Sequence, residues 1–208
     1  MTSEVPTLGL VLAGGQARRM GGGDKASLKV GGATILDRVL ARLDPHCKPI
    51  ILNANGDPAR LVRYGLAVVA DSVPDFAGPL AGILVGLDWA AKNAPGIEWL
   101  ASAPGDCPFL PKDLVPRLHA ARIAEKKPLA CARSGEWRHP VVGLWPVALR
   151  DDLRRALAEG LHKIEAWTGR HGAALAAWPD RPFDPFFNIN TPEDLAKAEE
   201  IAARNPDA

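Results

Sequence analysis

Short, continuous apolar runs alternate along the chain with longer stretches of helical periodicity. The runs at 8–13, 49–53, 66–71 and 98–103 are too short for helices and carry no polar alternate face. That is the signature of strands covered on both sides of a parallel sheet. Between them, Ile35, Leu36, Val39, Leu40 and Leu43 recur at helical spacing and predict a helix over 35–43. A small helix is expected at 59–64, a longer one opening at 76–82 and running to about 93, and another over 114–126. Residues 29–32 read as a turn. Further on, 129–133 and 141–145 read as strands with Arg138-His139-Pro140 between them, 148–159 and 163–170 as helices, and 174–178 as a last strand. Thr191 then caps a final helix, with Pro192 at its first position and Glu193 and Asp194 in its first turn. Alternating strands and helices imply an α/β fold: a mostly parallel sheet between two layers of helices.

Composition narrows the setting. An apolar fraction of 47% in 208 residues supports one core of ordinary size. Glycine and proline are scattered as turn markers rather than gathered in a linker, so the reading is a single domain over 1–208 with an ordered core of about 7–203. Basic and acidic residues nearly cancel, 25 against 24, for a net charge of +1. No global field recruits nucleic acid or an acidic membrane, and neither is expected as a partner. No apolar run approaches the ~20 residues that span a bilayer, and the first seven residues lack the pattern of a signal peptide. Cys47, Cys107 and Cys131 are isolated, without the spacing of a zinc knuckle or a disulfide framework. A reducing, cytoplasmic location is the expectation.

The chemistry starts where the first run ends. Gly14 and Gly15 open a glycine-rich turn that also holds Gly21, Gly22 and Gly23, with Arg18, Arg19 and Lys25 inside it. Glycines let a backbone approach a bulky anion and turn N–H groups toward it, and the cations neutralise it. Two phosphate loops are excluded by spacing. Asp24 separates Gly23 from Lys25 and Ala26 follows, which breaks the P-loop pattern. Five residues separate Gly15 from the next glycine, which breaks the dinucleotide fingerprint.

In parallel sheets ligands bind beyond the carboxyl ends of the strands. Gly14 and Gly15 follow the first strand, Asn53 ends the second, Asp71 ends the third and Asp106 lies just past the fourth. These residues would share one rim, where a nucleotide would meet a phosphate cradle, amides and carboxylates. A single carboxylate such as Asp106 suits Mg²⁺, which keeps several waters and takes one or two protein carboxylates plus substrate phosphates. Arg19 and Lys25 suit stabilisation of phosphate charge in a transition state. Other readings stand beside these. Residues 53–58 also read as a turn, Asp71 as a cap, and Asp106 as a turn aspartate before Pro108. The five histidines show no i, i+4 pair, and Cys107 has no identifiable partner base.

Taken together, these motifs resemble a known family. The stretch Leu12-Ala13-Gly14-Gly15-Gln16-Ala17-Arg18-Arg19-Met20-Gly21-Gly22-Gly23-Asp24-Lys25 resembles the signature of nucleotidyltransferases with a glycosyltransferase-A-like fold. Asn53-Ala54-Asn55, Asp71-Ser72, Gly78-Pro79-Leu80-Ala81-Gly82, Asp106-Cys107-Pro108, Arg138-His139-Pro140 and Asn188-Ile189-Asn190-Thr191-Pro192-Glu193-Asp194-Leu195 follow in the order of the molybdenum cofactor guanylyltransferases, the MobA family. The resemblance covers about 8–195 and implies a three-layer α/β/α, Rossmann-like domain of the nucleotide-diphospho-sugar transferase type. It implies transfer of GMP from GTP to molybdopterin carrying molybdenum, with Mg²⁺ as cofactor and pyrophosphate as product. Leu12, Ala13, Gly14, Gly15, Lys25, Asn53, Asp71 and Asp106 would bind GTP, Asp106 also the metal. Arg19, Lys25 and Asp106 would carry catalysis. Gly22, Gly78, Gly82, Asn188 and Asn190 would shape the cleft or lie near the pterin. Transient contacts with molybdopterin-synthesis proteins and client apoenzymes are further implied. Cys107 departs from the family, which often has Thr there, and Gly105 stands where a Cys is frequent.

Two rival functions remain at this level. A molybdopterin cytidylyltransferase using CTP would share the first loop, but such relatives tend to carry Ala-Ala-Gly where this chain has Ala13-Gly14-Gly15. A non-catalytic module that delivers molybdopterin would not need Lys25 and Asp106 together.

Overall fold

The computed structural model describes residues 5–14, 27–71 and 78–207. The strands are β1 (Thr7–Leu12), β2 (Lys29–Val30), β3 (Ala33–Thr34), β4 (Ile50–Asn53), β5 (Ala67–Val69), β6 (Trp99–Pro104), β7 (Leu129–Ser134), β8 (Trp137–Pro146) and β9 (Ala173–Trp178). The helices are α1 (Ile35–Leu43), α2 (Pro79–Asn93), α3 (Leu114–Ala124), α4 (Arg150–Ala158), α5 (Ile164–His171) and α6 (Pro192–Arg204), with short 3₁₀ turns at Pro58–Tyr64 and Val147–Leu149.

Seven strands form one sheet in the order β5-β4-β1-β6-β8-β7-β9. β1 lies parallel to β4 and β6, and β4 parallel to β5. β8 runs antiparallel to both β6 and β7, and β9 returns parallel to β7. One reversed strand in seven is the mostly parallel sheet the apolar runs predict. Register matters for function. Leu12 stands opposite both Asn53 and Pro104, so three strands end level on one rim.

Each face of the sheet buries its own cluster. Leu36, Val39 and Leu43 of α1 and Leu114 and Leu118 of α3 cover one face with Leu52, Ala103 and Leu144. Leu80, Leu84 and Leu87 of α2, Leu153 of α4 and Trp167 of α5 cover the other with Leu10, Leu100 and Trp145. Burying each such side chain contributes about 1.5–3 kcal/mol. The helix α2 is buried at every position from Leu80 to Leu87, which fits a helix apolar all round rather than on one stripe. It lies so close to the sheet that a Cβ on Gly86 would come within 2.5 Å of Leu100 Cδ1 and 2.9 Å of Leu10 Cδ2.

A third cluster, with Val30, Ile35, Phe109, Ile189 and Ala198, packs the β2–β3 hairpin and α6 beside the main sheet. Both α1 and α6 begin with capping boxes. Thr34 and Thr191 accept from the N–H of Asp37 and Asp194, and those carboxylates accept from the cap N–H groups in return. Among the described residues no helix is long and apolar enough to cross a membrane.

Two expectations need correction. Residues 29–34 form a two-stranded ribbon and not a bare turn, because Gly31 and Gly32 take positive φ and fold two-residue strands on each other. Arg138-His139-Pro140 do not separate two strands; they belong to β8, which starts at Trp137. A register shift in β8 interrupts the apolar pattern there and hides the strand.

Candidate active site

The ends of β1, β4, β5 and β6 and the residues that follow them enclose a cleft of about 490 Å³. Leu12, Ala13 and Gly14 form its floor at the end of β1. Asn53, Asn55 and Asp71 stand on one side of that floor. Pro104, Gly105 and Asp106 stand on the other, followed by Val141 and Asn188, and Gly78 and Pro79 bring in the start of α2.

The backbone crossings that build the floor are tight. Ala13 N–H donates to Asn53 O at 2.8 Å, and Gly105 N–H donates to Leu12 O at 2.9 Å. A Cβ on Gly105 would lie 3.2 Å from Leu12 O and 3.3 Å from Ala13 Cα. Those neighbours are backbone and cannot swing aside, so glycine at 105 sets how closely the Asp106 loop approaches β1.

The amide–carboxylate cluster is equally ordered. Asn53 Nδ2 donates to Val69 O at 3.1 Å and to Asp71 Oδ1 at 2.9 Å. Asn55 Nδ2 donates to Asp71 Oδ2 at 2.7 Å, while its Oδ1 accepts from Asp71 N–H at 2.9 Å. Both carboxylate oxygens of Asp71 are therefore held in a fixed orientation at the cleft. Asn53 is only 6% exposed, and it fits because residue 82 of α2 is glycine. A Cβ there would fall on Asn53 Oδ1 and lie 2.6 Å from Leu12 Cδ2. Arg60 reaches back to the same corner, with Nη2 3.4 Å from the carbonyls of Ala13 and Asn55.

On the opposite side the loop after β6 is tied to the segment before α6. Ile189 N–H donates to Asp106 O at 3.0 Å. The buried Cys107 thiol lies 3.2 Å from Asn188 Oδ1 and 3.6 Å from Phe186 O. These bonds leave the Asp106 carboxylate on the cleft wall with Asn188 beside it.

Of the sequence-predicted site residues, Leu12, Ala13, Gly14, Asn53, Asp71, Gly78, Asp106 and Asn188 line this one cleft. Gly82 lies beneath it, against Asn53. Asn190 does not line it; its N–H donates to Asp194 Oδ2 at 2.9 Å within the α6 cap. Gly15, Arg19, Gly22 and Lys25 lie outside the described residues. Sequence reasoning missed Asn55, Arg60, Gly105 and Val141 as parts of the site. Asn55 was visible inside the Asn53-Ala54-Asn55 stretch, but Asn-Gly-Asp-Pro after it reads as a turn. Arg60 and Val141 carried no local signal.

Among the described residues no three His, Cys, Asp or Glu side chains converge on an ion. Asp106, across the cleft from Asp71, fits a hard cation that shares most of its ligands with substrate phosphates and water.

A cleft at the carboxyl edge of a parallel sheet, with a glycine at its floor and carboxylates on either side, belongs to nucleotide-handling α/β enzymes. The model of the MobA-like NTP transferase domain matches residues 9–174, which makes the chain a nucleotidyltransferase. A molybdenum cofactor guanylyltransferase of Nitrobacter hamburgensis is 62% identical over 98% of this chain and 98% of its own. Another, from a Bradyrhizobium strain, is 58% identical over 98% and 97%. The chain belongs to the molybdenum cofactor guanylyltransferase family. Its fold matches the crystal structure of molybdopterin-guanine dinucleotide biosynthesis protein A from Archaeoglobus fulgidus, with a TM-score of 0.71 and 25% identity over 95% of this chain and 99% of that one.

Proposed function

We propose that the cleft binds GTP with one Mg²⁺ ion and transfers GMP to molybdopterin carrying molybdenum, releasing pyrophosphate. The observation that supports this reading best is a single cleft that joins the Gly14 floor, the oriented Asp71 carboxylate and Asp106. A terminal phosphate oxygen of the pterin attacks the α-phosphorus of GTP. The new P–O bond forms as the bond to the pyrophosphate oxygen breaks in line. Such a reaction asks little covalent chemistry of the protein; positioning and charge neutralisation carry it.

In this reading Gly14 lets the triphosphate lie close to the end of β1. Asp71, fixed by Asn53 and Asn55, accepts hydrogen bonds from the nucleoside. Asp106 holds the metal, which when bound would neutralise charge on the phosphate oxygens. Arg19 and Lys25 would balance the leaving pyrophosphate. Gly15 would admit the phosphates, Gly22 would shape the cleft, and Asn188 would lie on the pterin side. Cys47, Cys107 and Cys131 are buried and outside any disulfide, which suits a reducing cytoplasm.

Asp106→Asn keeps the shape of the loop and removes the charge. It should lower kcat by at least about 100-fold and abolish the response to Mg²⁺, while the melting temperature stays close to that of the parent. Near-normal turnover in this variant would overturn the assignment of the metal to Asp106.

A further inference from the structure

The irregularity in β8 changes where a side chain points. Cys131 of β7 faces Gly143 of β8, but the next residue, Ala132, faces His139. The ladder thus skips across 140–142. Pro140 has no N–H to give a neighbouring strand. The carbonyl of Val141 is taken instead by Ser102 Oγ at 2.6 Å, and Ser102 Oγ accepts from Trp145 Nε1 at 2.7 Å. Ser102 and Trp145 are fully buried, so the bulge is pinned from within the core.

Side chains alternate along a strand, so the skip moves His139 to the other face of the sheet. In an unbroken strand it would share a face with Val141 and Trp145, which pack in the α2 cluster. It lies instead against Phe186 of the opposite cluster, with ring centroids 4.6 Å apart.

There His139 meets the segment that carries Asn188. Its Nε2 is 2.6 Å from the buried Ser134 Oγ and 3.9 Å from Asp184 Oδ2. Asp184 Oδ1 accepts from Phe186 N–H at 2.9 Å. The Phe186 carbonyl faces the Cys107 thiol, which also faces Asn188 Oδ1. Contacts therefore run without a gap from the bulge, through Asp184 and Phe186, to a residue on the cleft wall.

The side of the cleft follows from the strand order. Asn53 ends β4, and Gly14 and Asp71 lie two residues past the ends of β1 and β5, while Asn188 and Val141 lie past Asp106 on the β8 side. In-line displacement puts the attacking oxygen opposite the leaving pyrophosphate. With the nucleoside held on the β4–β5 side in the transferase reading, Val141 and Asn188 are the cleft wall left for the acceptor.

We propose that His139 is a positioning residue for the acceptor: aimed by the β8 bulge, it clamps residues 184–189 so that Asn188 keeps its place on the acceptor side of the cleft. The proposal rests on the transferase reading of the site.

Three variants and three readouts test it. His139→Ala removes the clamp, and His139→Gln keeps an amide nitrogen near the Nε2 position. Steady-state turnover with Mg²⁺, GTP and molybdopterin should show KM for the pterin raised roughly tenfold in His139→Ala, a loss of about 1.4 kcal/mol. The Kd for GTP measured without pterin should stay within about twofold, and His139→Gln should recover most of the change. Ser134→Ala should give a smaller effect of the same kind. Hydrogen–deuterium exchange, which needs no turnover, should be faster at amides 186–190 of His139→Ala and unchanged in β1 and β4. An unchanged pterin KM, a parallel loss of GTP binding, or unchanged exchange at 186–190 would each overturn the proposal. Parent protein that binds GTP but releases no pyrophosphate would instead sink the transferase reading, and the exchange result would still judge the clamp.

Discussion

Gly82 shows how one absent side chain permits a polar site. Asn53 is buried beneath the cleft and spends its amide on Val69 and Asp71, and there is room for it only because α2 offers no Cβ at that point. Gly82→Ala should displace Asn53 and Leu12, cost about 1–3 kcal/mol of stability, and loosen Asp71. The expected result is a lower melting temperature together with weaker GTP binding by isothermal titration. A stability loss with unchanged GTP affinity would separate Asn53 from the nucleotide. His119 makes a different kind of statement. Thr7 Oγ1 donates to Val5 O and so accepts from His119 Nε2–H, while His119 Nδ1 accepts from Arg122 Nε at 3.3 Å. The neutral ring satisfies all of these bonds. Burial, helped by the Arg122 cation, lowers its pKa to about 4. Between about pH 6.5 and 4 the unfolded chain takes up a proton that the folded chain refuses, so this contribution is present above the unfolded pKa and lost as pH falls. Lowering pH from 7 to 5 should therefore cost about 2 kcal/mol through this residue. His119→Gln should be less stable at pH 7 but flatter in chemical denaturation across that range; an equally steep pH dependence would contradict the account.

Elements were legible in the sequence where local signals and packing agreed. The start of α6 is the clearest case. Thr191, Pro192 and Asp194 announce a capped start, and the capping box forms as the residues suggest. Removing its hydroxyl with Thr191→Ala should cost about 1 kcal/mol, read as a lower denaturation midpoint. That change should also disturb Asn190, whose N–H shares the Asp194 carboxylate. β1, β4 and β6 were equally plain, since strands buried on both faces are written as unbroken apolar runs. β8 was not. Its first half is Trp137-Arg138-His139-Pro140, polar and ending in a residue that cannot complete a ladder. Only their pairing with Ser134, Arg133 and Ala132 of β7 makes Trp137, Arg138 and His139 part of a strand. Local reading could not supply that, nor the direction of β8, which reverses an otherwise parallel sheet. Asn55 was hidden for a related reason. Its bond to Asp71 joins residues 16 apart across β4 and β5, while its neighbours spell a turn.

At the scale of the molecule, function follows from where strands end. β1, β4 and β6 stop level with one another, and the residues past their ends meet in one cleft although they lie far apart in the chain. Near-neutral net charge leaves recognition to that cleft rather than to a long-range field. The family's reaction is guanylyl transfer, and the proposal is that this cleft carries it, selecting GTP and passing GMP to molybdopterin. Pyrophosphate release and product mass, followed with purified protein, Mg²⁺, molybdenum-loaded molybdopterin and equal concentrations of GTP and CTP, test it most directly. Pyrophosphate should appear in step with a guanine dinucleotide product, with little cytosine product. A cytosine dinucleotide as the main product, or no pyrophosphate above background, would contradict it.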